Sequence, residues 1–240
     1  MIPLPLRLLR DEGGAALVEM SIVATMFLIV TFGLVEFSFA LWQWNSASKA
    51  TQLGARLAAV SDPVWDELTS DLTLAGVGGT VGGGIVTFTV RCDGADATCT
   101  VEENGCMPNP DSGSGTCPSF PSRATFDPEA LDTIVYGREG ASDAEDGTCN
   151  VGPDGFPGMC DIFRRVKPEN VSVRYYYSGL GFPGRPGGPV PTITVRLTDM
   201  TFDFVVLNAL LGFGPITMPD FEVTMTGEDL CVQSPSSPSC

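Results

Sequence analysis

The sequence predicts an α+β protein: a long N-terminal transmembrane and spine α-helix packed on a small antiparallel β-sheet, with a disulfide-rich loop insertion. Three observations predict it. An apolar run with only two charges fills residues 13–44, four later stretches alternate with a period of two, and all eight cysteines lie beyond residue 91. The 240 residues, 43% hydrophobic and 18% charged, suffice for one or two packed domains. Against 13 Lys and Arg stand 29 Asp and Glu, a net charge of −16, and there is no histidine. Such a surface is repelled by phosphate backbones, so no nucleic-acid partner is expected. The missing imidazole excludes Ser-His-Asp and Cys-His catalysis and Cys₂His₂ zinc sites.

The helix comes first. Met20 to Val35 gives sixteen uncharged residues, roughly 24 Å of helix at 1.5 Å per residue. Flanking apolar residues extend it past the ~30 Å of a hydrocarbon core. Trp42 and Trp44 fall where an interfacial aromatic belt belongs, and Arg7 and Arg10 on the short N-terminal side predict a cytoplasmic N-terminus. A cleaved secretory signal has a shorter apolar core and a small-residue exit site. The two charges, Glu19 and Glu36, are the anomaly, because a carboxylate inside a membrane helix costs a few kcal/mol (roughly 3) unless it finds a partner. Past Trp44, Ala47, Ala50, Leu53, Leu57 and Val60 recur at helical spacing opposite Lys49, Gln52 and Arg56, which predicts a continuation as a spine. Asp62-Pro63 ends it, and the same pair predicts a short second helix carrying Trp65, Leu68 and Leu72 on one face.

Gly76–Gly84 reads as a flexible connector, since it lacks the Gly-Lys-Ser/Thr of a phosphate loop. Ile85–Arg91, Val171–Tyr177, Ile193–Val206 and Phe221–Thr226 alternate as strands, with a bend or bulge at Asp199-Met200 in the third. A short apolar helical turn follows between Val206 and Phe213 and caps the sheet edge. Residues 92–165 read as an insertion rich in Gly, Pro, Ser and Asp, with a short helix at Pro128–Tyr136. Net charge −12 sits within residues 93–163, while residues 1–60 sum to zero.

Cys92, Cys99, Cys106, Cys117, Cys149 and Cys160 lie in this insertion, and Cys231 and Cys240 form a last pair. None shows the C-x₂-C spacing of a zinc knuckle, and an even number in polar loops predicts disulfides made in an oxidising space. Sequence leaves the connectivity open, with the local pairs Cys231–Cys240 and Cys149–Cys160 favoured. The acidic cluster Asp143-Ala144-Glu145-Asp146-Gly147 departs from EF-hand spacing and reads as a solvated loop. No metal and no cofactor is expected. With no Gly-x-Ser-x-Gly elbow and no nucleophile–base pair, neither is an enzyme.

The stretch Arg10-Asp11-Glu12-Gly13-Gly14-Ala15-Ala16-Leu17-Val18-Glu19 resembles the processing site of type IV prepilins, with Met20 standing where such motifs usually carry an aromatic. More narrowly, it is similar to the TadE-type minor pilins (pseudopilins) of tight-adherence, or Flp, pilus systems. Phe32–Leu41, with Glu36 inside it, resembles that family's second acidic motif, and Leu207–Gly214 with Phe221–Thr226 its ending.

The resemblance implies cleavage by a prepilin peptidase between Gly14 and Ala15, and roles in assembly for Glu19 and Glu36. It also implies partnership with other Tad pilins and pilus assembly proteins, and a place in the bacterial inner membrane with the C-terminal domain outside the cytoplasm. The chain then divides into a leader (1–14), a transmembrane and spine helix (15–61) and a short helix, linker and first strand (62–91). The acidic cysteine-rich insertion (92–165) and the remaining strands with a C-terminal disulfide loop (166–240) complete it. The alternative is an uncleaved single-span protein whose stapled extracytoplasmic domain binds or adheres.

Overall fold

The computed structural model describes residues 12–68, 85–107, 124–138, 149, 155–181, 189–212 and 214–227. Gly76–Gly84, the Asp143–Gly147 cluster and Leu72 lie outside them. The chain divides into two compact units, Met1–Trp44 with Thr201–Thr217 and Asn45–Met200 with Met218–Cys240. Helix α1, Glu12–Val60, contributes to both.

In the second unit, five strands form one antiparallel sheet in the order β2-β1-β5-β6-β9. They are β1 (Ile85–Asp93), β2 (Thr98–Met107), β5 (Val171–Gly181), β6 (Pro189–Leu197) and β9 (Phe221–Thr226). Alternation decides the faces. Phe88, Val90, Cys92, Val171, Val173, Tyr175, Ile193, Val195, Leu197 and Phe221 are buried on one side. Their partners share that side in register: Val90 opposes Tyr175, Val173 opposes Val195, and Leu197 opposes Phe221.

The α1 residues Ala47, Ala50, Thr51, Ala55, Leu57, Ala58 and Ala59 are buried in the same unit, whereas Lys49, Gln52 and Arg56 are exposed. The buried stripe is mostly alanine, which lets neighbouring elements approach closely. Gly54 shows how closely, since a Cβ there would lie 2.4 Å from the sulfur of the fully buried Met159. Val60 departs from the expected stripe and is 40% exposed. At that end of the helix its carbonyl is not orphaned, because Arg138 donates to it from 2.6 Å.

Three local expectations are corrected. No helix starts at Pro63; instead Trp65 makes a β-bridge to Phe126, flanked by bonds from Asp127 N–H to Val64 O and from Asp66 N–H to Thr125 O, and the first helical residue past Pro63 is Leu68. Backbone pairing outcompetes a cap here because Trp65 is pulled wholly into the core, edge-on to Phe88 and Tyr175. The strand expected over 193–206 stops at Leu197: Asp199 takes a positive φ of 58°, and Thr201–Phe202 become a separate strand, β7. The supposed insertion also begins with structure, since Thr98–Met107 folds back on β1 as strand β2.

Helix α2 lies at Pro128–Tyr136, with the Asp127 carboxylate accepting from the amides of Glu129 and Ala130 and Pro128 at its first position. It is followed by the short pair β3 (Gly137–Arg138) and β4 (Phe156–Pro157) and by a single turn, α3 (Met159–Ile162). Gly137 is required there: its φ is +90°, and a Cβ would lie 2.1 Å from the Phe156 carbonyl oxygen.

One buried polar contact ties the end of the spine to the sheet. The Val64 N–H donates to the Tyr175 hydroxyl at 2.9 Å, with both residues fully buried. Burial pushes the Tyr175 hydroxyl well above the ordinary tyrosine range, so it stays protonated. Tyr175→Phe leaves the Val64 amide unsatisfied and should cost about 1–3 kcal/mol in denaturant unfolding of the full chain. Tyr176→Phe, on the opposite and partly exposed face, should stay within about 0.5 kcal/mol of the parent.

Candidate functional site

The apolar half of α1 contains six polar side chains between Ala15 and Leu41. Four satisfy themselves: Ser21, Thr25, Thr31 and Ser38 each donate to a carbonyl three or four residues earlier, all at 2.8 Å. The remaining two are Glu19 and Glu36, whose carboxylates accept but cannot donate, and the amides around them in the helix interior are already bonded to carbonyls one turn back. Their environments differ. Glu19 is exposed, and among the described residues no hydrogen bond or ion pair reaches it. Glu36 is fully engaged.

The Glu36 carboxylate accepts from three successive backbone amides: Val205 at 2.7 Å and Val206 at 2.5 Å on one oxygen, and Leu207 at 3.0 Å on the other. These amides open helix α4, Val206–Leu211, whose cap position is Val205 and which has no side-chain cap of its own. The first amides of a helix have no partner within it and carry its positive end. Hence a carboxylate lacking donors meets donors lacking an acceptor. Hydrogen bonds to a charged group are shorter and stronger than those between neutral groups.

The lobe that carries α4 is closed by β7 (Thr201–Phe202) pairing with β8 (Ile216–Thr217). Gly212, with φ +71°, ends α4 in a left-handed turn, its N–H bonded to Asn208 O. Phe202 lies 6.2 Å from Phe39 and 4.8 Å from Phe204, and Phe39 stacks on Trp42 at 5.5 Å. A Cβ at Gly33 would touch Leu207 at 3.7 Å. Ile29, Gly33, Glu36 and Ala40 form the one partly covered stripe of this stretch, while Leu17, Met26 and Phe27 are about two-thirds exposed or more.

Gly14 and Ala15 are exposed in the first turns of α1. Cys92 pairs with Cys99, directly opposite it across the β1–β2 hairpin, and Cys149 pairs with Cys160. Cys106 sits in β2 opposite Val86, and Cys117, Cys231 and Cys240 lie outside the described residues. Cys92–Cys99 closes a loop of a few residues and contributes up to about 2–3 kcal/mol by restricting the unfolded chain. Among the described residues no group of three or more acidic or cysteine side chains could hold a metal.

A second polar feature is the outer face of the sheet, where Arg91, Arg174 and Arg196 flank Ser172, Thr194 and Glu222 around a small hollow. Arg91 stands directly opposite Arg174, an arrangement that is unfavourable unless neutralised. Each has a carboxylate: Asp93 at 3.0 Å, Glu102 at 3.3 Å and, for Arg196, Asp220. The hydrogen bond to Asp220 raises the affinity of Arg196 for its proton further. The row is internally compensated and offers no net positive charge to an anion.

The amides that hold Glu36 escaped the sequence reading, which called for a partner without naming one. A signal existed: Phe204-Val205-Val206 precedes a helical turn without the Ser, Thr, Asp or Asn that normally caps one.

Residues 14–56 match a family model described as TadE-like protein, a span that contains Ala15, Glu19, Gly33 and Glu36. No curated protein and no solved structure matches the chain. Removing the acceptor tests the clasp: in Glu36→Ala, hydrogen exchange at the amides of Val205, Val206 and Leu207 should accelerate about 10- to 100-fold, as expected for the loss of charged hydrogen bonds. Exchange in β5 and β6 should be unchanged.

Proposed function

We propose, from the TadE-like segment this chain carries at residues 14–56, that it is a membrane-anchored minor pilin or pseudopilin of a Tad (Flp) pilus system. In this reading it is a structural component, inserted with its N-terminus in the cytoplasm and processed by a prepilin peptidase after Gly14. The observation that carries the reading is the family match, which covers both acidic positions and the apolar helix between them. The anchor supports it: one helix among the described residues is long and apolar enough to cross a membrane, and its most apolar stretch is not buried by the rest of the chain.

The two glutamates then take separate roles. Glu36 is satisfied within the chain. Glu19 has no such partner, and cleavage after Gly14 would place a new α-amine four residues before it. In a low-dielectric bundle of anchors, that amine and carboxylate neutralise each other, within a chain or between neighbours. The covered stripe at Gly33 also redirects helix packing. Neighbouring anchors would use the free faces, where Ala15 and Ala16 allow close approach.

Mass spectrometry of the N-terminal peptide from membrane-extracted protein should find a chain beginning at Ala15. An intact Met1–Arg10 leader would instead support an uncleaved single-span protein. Glu19→Ala should still be cleaved but should lower pilus yield about tenfold or more, the cost of leaving a buried charge unpaired. Normal piliation in that variant would contradict the role given to Glu19.

A further inference from the structure

From Phe204 to Ile216 the sequence FVVLNALLGFGPI contains no charged residue. Loops that face water are rarely thirteen residues of this composition, because exposed apolar surface carries a hydration cost and usually marks a contact. The structure turns several of these side chains outward: Val205 is 75% exposed and Ile216 52%. They belong to the same compact unit as the apolar half of α1, and Glu36 and Gly33 fix the level at which the lobe meets it. That level lies at the end of the sixteen-residue uncharged run and just before Trp42 and Trp44, where a membrane helix leaves hydrocarbon for the headgroups.

We propose that residues 204–216 are a second lipid-contacting element, inserted at the membrane interface beside the anchor and held at that depth by Glu36. The lobe packs on α1 through Phe202 against Phe39 and Leu207 against Gly33, and both it and α1 at that level expose apolar side chains, Val205 and Ile216 on the one and Val35 and Phe37 on the other; this shared apolar character selects acyl chains as the occupant. Neither a carboxylate nor the uncapped end of a helix enters an apolar medium alone. Bonded to each other they enter together: three amides gain acceptors, one anion gains donors, and the apolar side chains of the lobe are left to face lipid. Bringing apolar side chains into the headgroup–acyl boundary then adds to anchoring by the area they bury.

The proposal rests on α1 crossing a membrane, and the experiment reads the two separately. The full chain is reconstituted in vesicles of phosphatidylcholine and phosphatidylglycerol. The photoreactive residue p-benzoylphenylalanine replaces Val205, Ile216, Phe27 (anchor reference) or Val101, an exposed β2 side chain (aqueous reference). Lipid adducts at 205 and 216 should approach the yield at 27 and exceed that at 101 about tenfold. Adding Glu36→Ala should lower the yields at 205 and 216 about tenfold while leaving 27 unchanged.

Background yields at 205 and 216 with a strong adduct at 27 would overturn the proposal and leave the anchor standing. Cross-linking of 205 or 216 only to a second copy of the chain would overturn it in favour of a protein interface. Unchanged yields in Glu36→Ala would remove Glu36 from the account. Loss of the adduct at 27 itself would remove the anchor and the proposal together.

Discussion

A carboxylate in an apolar helix needs donors, and the bare end of a short helix needs an acceptor. The bond between Glu36 and the amides of residues 205–207 meets both needs at once, across about 170 residues of sequence. Much else follows from it. Helix α4 has no side-chain cap, so its six residues depend on an acceptor supplied by another part of the chain. The lobe of residues 201–217 is closed by one short strand pair, β7 with β8, of two residue pairs, and by a bond from Met218 N–H to Met200 O at its neck. Glu36 therefore gives this apolar excursion its place on the anchor, and the excursion gives Glu36 an environment in which it is not an isolated charge.

The distribution of charge fits this division of labour. None of the net −16 lies in residues 1–60, so the anchor is neutral as well as apolar. In the sheet-bearing unit, three arginines on the outer face are each matched to a carboxylate, which keeps a like-charged pair in register from opening the sheet. Isolated surface pairs of this kind contribute little to stability, about 0–1 kcal/mol each. Their value here is compensation. The stability of this unit comes from its buried inner face, the Trp65–Phe88–Tyr175 cluster and the staple across the first hairpin.

How far the sequence revealed this depended on whether a feature was local. The apolar run, the period-two strands and helix α2 with its Asp127-Pro128 start were legible because each is encoded within a dozen residues. Strand β2 was hidden because Thr98–Met107 has polar or acidic residues at half its positions and a glycine besides, as an edge strand tolerates, and so resembled the loop that follows. The break after Leu197 was legible only as a bend; nothing local says that Asp199 adopts a left-handed conformation. The expected helix start at Pro63 failed because a long-range bridge to Phe126 overrode a local capping signal, and the first helical residue past that position is Leu68. For Glu36, the sequence announced that a partner was required, and only the fold could name it.

The most direct test of the clasp is the separation between the Glu36 side-chain carboxyl carbon and the Val206 amide nitrogen in the membrane-embedded protein, measured by rotational-echo double resonance with selective ¹³C and ¹⁵N labels. The account predicts strong dephasing, corresponding to a separation under about 4 Å, as a direct hydrogen bond requires. No measurable dephasing, meaning a separation beyond about 6 Å, would contradict it, because no hydrogen bond spans that distance.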